Sequence, residues 1–257
     1  MDWHILNQKT PEESMKLSAR TISSYVLFAF LFTSVCMIFG RTAVRYAVGD
    51  SAPVSVQSEI PVFLIDPGHG GEDGGAEADG VTEKELNLTV ARNLADICTI
   101  LGHSVSLTRN TDTMLYDAFD DLDDYSGKKK TYDLKNRLRM GEESGAALFI
   151  SIHMNKFPQQ SSRGLQVYYS ENAPQSESAA RLIQNYARKF LMPWNSREIK
   201  PATSAIYLLH RIRMPAVLVE CGFLSNAEDR QNLSDPAYQV KLAASIFAAS
   251  AEWLAAN

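Results

Sequence analysis

Three short apolar runs shape what this chain can fold into, and two of them close on a side chain that does not belong at the end of a buried strand. Residues 60–66 read IPVFLID, residues 147–153 read ALFISIH and residues 216–220 read AVLVE. Short runs rich in β-branched residues and bounded by turn residues are predicted strands, several of them fully buried. Residues 103–108 (HSVSLT) and 165–169 (LQVYY) add two more. Between them lie helical periodicities, with Leu86, Val90, Leu94, Ile97 and Leu101 recurring at steps of three and four. Tyr238, Leu242, Ile246, Ala249 and Trp253 repeat the pattern, starting from Asp235 as N-cap with Pro236 at the first helical position. Strands alternating with helices predict an α/β domain with a largely parallel sheet, whose functional groups gather at the carboxyl ends of strands.

The chain has 257 residues, of which 45% are hydrophobic, with 25 Lys+Arg against 30 Asp+Glu. That is enough apolar material for a full core, and it excludes disorder, collagen and disulfide scaffolds. The first 55 residues hold five basic and four acidic side chains, which leaves a net charge of -6 on residues 56–257. A net acidic domain is a poor partner for nucleic acid.

Residues 22–39 (ISSYVLFAFLFTSVCMIF) form an uncharged stretch of 18 residues, about 27 Å as a helix, just long enough to cross a bilayer. No clear small-x-small cleavage site follows, so an uncleaved signal anchor is expected at 21–40 rather than a removed signal peptide. Residues 1–20 are then a cytoplasmic N-terminal segment, 41–58 a linker and 59–257 the folded domain outside the membrane. Cys36 falls within the span, while Cys98 and Cys221 are expected as small core residues without a structural disulfide.

Residues 110–130 carry Asp112, Asp117, Asp120, Asp121, Asp123 and Asp124, followed by Lys128, Lys129 and Lys130. This reads as a solvated, mobile loop, with the rim of a binding groove as the functional alternative. Residues 154–163 form a short polar connection.

Four polar side chains share a placement at strand ends or helix starts. His69 follows the first strand in DPGHGG (66–71), where glycines permit a sharp turn and leave the imidazole at the sheet edge. His153 and Glu220 close their apolar runs, and a carboxylate ending such a run is costly without a partner. Glu83 begins the first helix. Thr82 and Glu85 match a capping box, which leaves Glu83 free to project over the sheet edge, although a carboxylate there can also simply complement the helix dipole. Two imidazoles and a carboxylate with one open position are the ligand set of catalytic zinc, and a second carboxylate serves as general base. Spacing alone does not tell which glutamate is ligand and which is base.

These motifs, DPGHGG (66–71), the Glu83-Lys84 pair before a leucine-rich helix, SIHMN (151–155) and PAVLVECGFLSN (215–226), resemble in order and spacing the zinc-dependent N-acetylmuramoyl-L-alanine amidases. The resemblance covers about residues 60–255. It implies a six-stranded, mainly parallel sheet flanked by helices, with His69, Glu83 and His153 as zinc ligands and Glu220 as the catalytic carboxylate. Within the family the chain looks most like the membrane-anchored, germination-specific members of spore-forming bacteria. Those strip peptides from muramic acid in the spore cortex so that muramic-δ-lactam forms with a partner deacetylase.

The resemblance therefore implies a peptidoglycan substrate and a catalytic domain held outside the cytoplasm by the membrane anchor, or secreted if the anchor is cleaved. It leaves room for an accessory protein. The alternatives are a vegetative or division amidase and a zinc peptidase acting on stem peptides. Arg109, Arg137 and Arg139 can hold peptide carboxylates, but surface solvation is the expected role of each.

Overall fold

A computed structural model describes residues 62–119 and 124–257. The expected cytoplasmic segment, anchor and linker lie outside these residues. Among the described residues no helix is long and apolar enough to cross a membrane.

In chain order the elements are β1 (Phe63–Pro67), β2 (Glu77–Ala78), β3 (Val81–Thr82), α1 (Glu83–Ile100), β4 (Val105–Leu107), α2 (Lys129–Glu143) and β5 (Leu148–Asn155). There follow β6 (Gln166–Tyr169), α3 (Gln175–Phe190), β7 (Lys200–Pro201), α4 (Tyr207–Arg211), β8 (Ala216–Phe223), α5 (Ala227–Ser234) and α6 (Pro236–Ala256). Six strands form one sheet in the order β4-β1-β5-β8-β6-β7, and β2 pairs with β3 as a separate hairpin. Every pairing in the large sheet is parallel except β6 with β8. The expected α/β domain with a mainly parallel six-stranded sheet is the fold observed.

Side-chain alternation divides the central strands between two cores. Phe63, Ile65, Ile150, Ile152, Val217 and Val219 face one side, where Val90 and Leu94 of α1, Ile183 of α3 and Leu242 and Ile246 of α6 cover them. Each such fully buried side chain contributes about 1.5–3 kcal/mol. Leu64, Phe149, Ala216 and Leu218 face the other side and meet Leu208, Leu209 and Ile212. Asp66, Ser151, His153 and Glu220 follow in the alternation on this second face, and the parallel register brings them to one end of the sheet.

Three local expectations are corrected. β5 and β8 run beyond His153 and Glu220, to Asn155 and Phe223, so both residues lie within strands; a register shift after His153 accompanies the extension. Leu101 is 58% exposed and sits at the C-cap of α1 rather than on its buried stripe. Thr82 is the N-cap residue of α1 but makes no capping hydrogen bond, and its Oγ1 has no partner. The first two N–H groups of α1 donate instead to the carbonyls of Ala76 at 2.8 Å and Gly74 at 3.2 Å, supplied by the chain leading into the hairpin. At the other end of the chain Asp235 caps α6 as expected, accepting from Ala237 N at 3.0 Å. Cys98 and Cys221 are both buried in the core.

Candidate metal centre

His69 stands in the loop leaving β1 with φ of 60°, a left-handed conformation uncommon for a side-chain-bearing residue. This turn aims the imidazole back over the sheet end. Its Nδ1 donates to Asp73 Oδ2 at 2.8 Å, and its Nε2 lies 3.3 Å from Glu83 Oε1. A carboxylate on one ring nitrogen fixes the tautomer and leaves the other nitrogen as a donor atom for a cation. Burial opposes charge on His69, but its hydrogen bonds to Asp73 and Glu83 outweigh it and lift its pKa to about 9.

Glu83, only 4% exposed, reaches from the first position of α1 across the ends of the strands. Its Oε2 accepts from Ala76 N at 2.7 Å, while Oε1 accepts from Met154 N at 3.1 Å and lies 2.9 Å from His153 Nδ1. Burial would raise its pKa, yet the contacts with His153 and His69 hold it well below the usual carboxylate range. Gly75 lies directly above: a Cβ there would stand 2.5 Å from Glu83 Oε2 and 2.8 Å from His69 Cδ2. The His69 and His153 rings meet edge to face with centroids 5.0 Å apart.

Glu220 is the register partner of His153 on the neighbouring strand. Its Oε2 is buried with no hydrogen-bond partner. Burial pushes its pKa up to about 7, opposed by His153 and reinforced by the charge of Glu83. His69, His153 and Glu220 line one cavity of about 240 Å³, with Lys130 and Tyr207 on its flanks.

All four residues singled out in the sequence therefore meet at one place. Ligand atoms of His69, Glu83 and His153 lie within 4.8 Å of one another, a group that can hold a metal ion. Two nitrogens and one carboxylate oxygen suit zinc, and Glu220, which lines the same cavity, is the neighbouring carboxylate left to handle a proton.

Two of the three arginines do not behave as expected. Arg109 and Arg137 are 3% and 2% exposed, so neither is a solvated surface group. Arg137 pairs with Asp66 at 2.5 Å and Asp133 at 2.7 Å, and its Nη2 donates to the His69 carbonyl at 2.7 Å. Thr108 and Ser151 also donate to Asp66, at 2.6 and 2.7 Å. Burial would raise the Asp66 pKa, but Arg137 and these hydroxyls hold it below the ordinary value. Only Arg139 is on the surface, stacked over Phe119 and bonded to Glu143 at 2.9 Å.

The acidic loop is tied down where it is described, with Met114 buried and Asp112 accepting from Gly71 N at 2.8 Å and Lys84 Nζ at 2.7 Å. Lys129 and Lys130 belong to the first turn of α2, and Lys130 lines the cavity. Asp73 went unnoticed in the sequence; its position four residues after His69 was the available signal.

An α/β domain that gathers this donor set beside a further carboxylate has the form of a hydrolase with a site able to hold a metal ion. The chain belongs to the N-acetylmuramoyl-L-alanine amidase family Amidase_3, whose profile matches residues 63–251. Its activity is that of an amidase acting on peptidoglycan.

It is 36% identical over 220 residues to the germination-specific N-acetylmuramoyl-L-alanine amidase of Bacillus subtilis, covering 85% of this chain and 90% of that protein. It is 32% identical over 211 residues to the amidase LytC of the same organism, covering 82% of this chain and 38% of LytC. Among solved structures it resembles the CwlD amidase of Clostridioides difficile in complex with the GerS lipoprotein. That match has 34% identity and a TM-score of 0.70, and covers 77% of this chain and all (100%) of that one.

Proposed function

We propose that the chain is a zinc-dependent amidase that hydrolyses the bond between the muramic acid lactyl group and L-alanine in spore-cortex peptidoglycan. The observation carrying the reading is the convergence of His69, Glu83 and His153 within 4.8 Å beside the unpartnered Glu220 carboxylate. His69, Glu83 and His153 would hold the zinc. The ion supplies Lewis acidity and brings the pKa of water toward about 7.

Glu220 is the group of this chain that moves protons. Set in the cavity with its pKa raised to about 7, it takes the proton of the attacking water and returns it to the departing L-alanine amine. Asp73 keeps the His69 ring in one orientation by accepting from Nδ1. Ile206, Tyr207 and Leu218 add apolar side chains to the cavity lining, suited to the lactyl and alanyl methyl groups.

Likeness to the germination-specific enzyme over 90% of that protein's length supports the cortex role. The uncharged stretch at 22–39 supports a membrane-anchored enzyme with its catalytic domain outside the cytoplasm. The solved complex of the Clostridioides relative with a lipoprotein supports an accessory protein here, and a deacetylase would act on the product.

The test is digestion of cortex-type peptidoglycan by the full chain in detergent, with chelator and with zinc restored, followed by mass spectrometry. Free stem peptides beginning at L-alanine, lost on chelation and regained with zinc, are expected. Intact lactyl amides with shortened peptides would make the enzyme a peptidase. Equal activity with and without chelator would remove zinc from the reading.

A further inference from the structure

Gly68 is the point where all three donor-bearing segments meet. Its N–H donates to the Ile152 carbonyl, beside His153, at 3.0 Å. A Cβ on Gly68 would stand 2.2 Å from the His153 ring, so the imidazole packs where only glycine fits. His69 is the next residue along the chain.

The Gly68 carbonyl is then gripped by two side chains that also hold the start of α1. Asn87 Nδ2 donates to it at 3.1 Å and lies 3.4 Å from Glu83 Oε1. Arg109 Nη2 donates to it at 3.0 Å and to the Lys84 carbonyl, also at 3.0 Å. The same guanidinium reaches the Pro67 carbonyl through Nε and the Thr111 carbonyl through Nη1, both at 2.9 Å.

A buried arginine ordinarily faces a carboxylate, as Arg137 does with Asp66 and Asp133. The hydrogen bonds of Arg109 go to backbone carbonyls of three separate segments. A planar fork of donors imposes distances among those carbonyls that a lysine ammonium cannot. The left-handed φ of 60° at His69 is the kind of local strain that persists only when its surroundings over-determine it.

The geometry points to Arg109 as a positioning residue of the metal centre: by bonding Pro67, Gly68 and Lys84 together, it sets the separation of His69 from Glu83, with Asn87 as a second tie. This rests on the reading of His69, Glu83 and His153 as the metal site. The hydrogen bonds of Arg109 go to the backbone that carries two of the three ligands and not to the ligand side chains themselves.

The test uses the full chain and its Arg109→Lys and Arg109→Met variants, with Arg92→Met as a control at an exposed arginine bonded to the nearby Asn110 carbonyl. Zinc affinity is measured by competition with a chromophoric chelator, site geometry by the visible spectrum after cobalt(II) substitution, and folding by the thermal midpoint of the chelated protein. Both Arg109 variants are expected to bind zinc about 10–100-fold more weakly, the range for loss of an outer partner of a ligand. Their cobalt spectra should change, and Arg109→Lys should keep a midpoint within a few degrees of the parent.

Arg92→Met should match the parent in every reading. Parent-like zinc affinity and cobalt spectra in both Arg109 variants would overturn the inference and leave the metal reading intact. Weaker binding that merely tracks a lower midpoint, with an unchanged cobalt spectrum, would make Arg109 a structural residue and equally overturn it. A parent protein that takes up no zinc would fail the metal reading itself, and the inference with it.

Discussion

Glu220 and His153 sit opposite one another in register on adjacent parallel strands. Neighbouring strands lie about 4.8 Å apart, so the sheet itself sets this pair side by side on one face. Replacing Glu220 by glutamine keeps the shape and removes the proton-accepting oxygen. We expect Glu220→Gln to retain zinc while turnover on peptidoglycan falls about 10²–10⁴-fold, the usual contribution of a general acid-base group. Zinc content and product release measured on one preparation check both halves. Near-parental turnover would falsify the role given to Glu220.

The three donors belong to separate pieces of chain, and none can be supplied by its neighbours. His69→Ala, Glu83→Ala and His153→Ala are each expected to lose zinc and activity together, with elemental analysis after dialysis as the measurement. Glu83→Ala should also lower stability in the absence of metal, because it leaves the N–H groups of Ala76 and Met154 without their acceptor. Full zinc occupancy in any one of the three variants would remove that residue from the ligand set.

How much of this could be read from the sequence follows from where each side chain finds its partners. β1, β5 and β8 were legible because strands covered on both faces appear as nearly continuous apolar runs. His69, Glu83, His153 and Glu220 stood out because polar groups against such runs have no local explanation. Arg109 and Arg137 were misread because burial of an arginine depends on acceptors from distant segments, here Asp66, Pro67 and Gly68. Only the spacing of Asp133 and Arg137, four apart on α2, hinted at a pair. The capping box at Thr82 failed for a related reason: carbonyls of the preceding chain occupy the N–H groups that a cap would have satisfied.

Arg137 makes a further prediction. It bridges Asp66 and Asp133 with almost no exposure, so losing it leaves two buried carboxylates without their counter-ion. Breaking such a group from one side costs about 3–5 kcal/mol. Arg137→Met should lower the thermal midpoint of the chelated protein by roughly 6–20 °C for a domain of this size. An unchanged midpoint would mean that the pair contributes nothing net to stability.

Asp73 bears on the metal without being a ligand. Its carboxylate accepts from His69 Nδ1 at 2.8 Å and lies 3.3 Å from Lys130 Nζ. The contact with His69 holds the Asp73 pKa far below the ordinary carboxylate value. Asp73→Asn keeps the size of the side chain but allows the amide to present either donor or acceptor, so the ring tautomer is no longer fixed. Zinc affinity should fall about 10–100-fold, as measured by chelator competition. An affinity within twofold of the parent would show that His69 is oriented by its backbone alone.

The pH dependence of metal uptake has a definite sign. In the metal-free protein His69 has its pKa raised to about 9, because hydrogen bonds to Asp73 and Glu83 outweigh burial. A raised histidine pKa contributes stability that is fully present below the unfolded value of about 6.5 and is lost as pH rises through about 9. The depressed Glu83 pKa expresses the same contacts from the carboxylate side, contributing above its unfolded value and fading as pH falls below it. Zinc requires the His69 nitrogen unprotonated, so between about pH 6.5 and 9 each ion bound releases a proton. Apparent zinc affinity should therefore climb about tenfold per pH unit across that window and level off above it. Competition titrations at several pH values, corrected for the competitor's own protonation, measure the slope. A flat profile across the window would mean that no proton is displaced and that the His69 pKa is not raised in the metal-free protein.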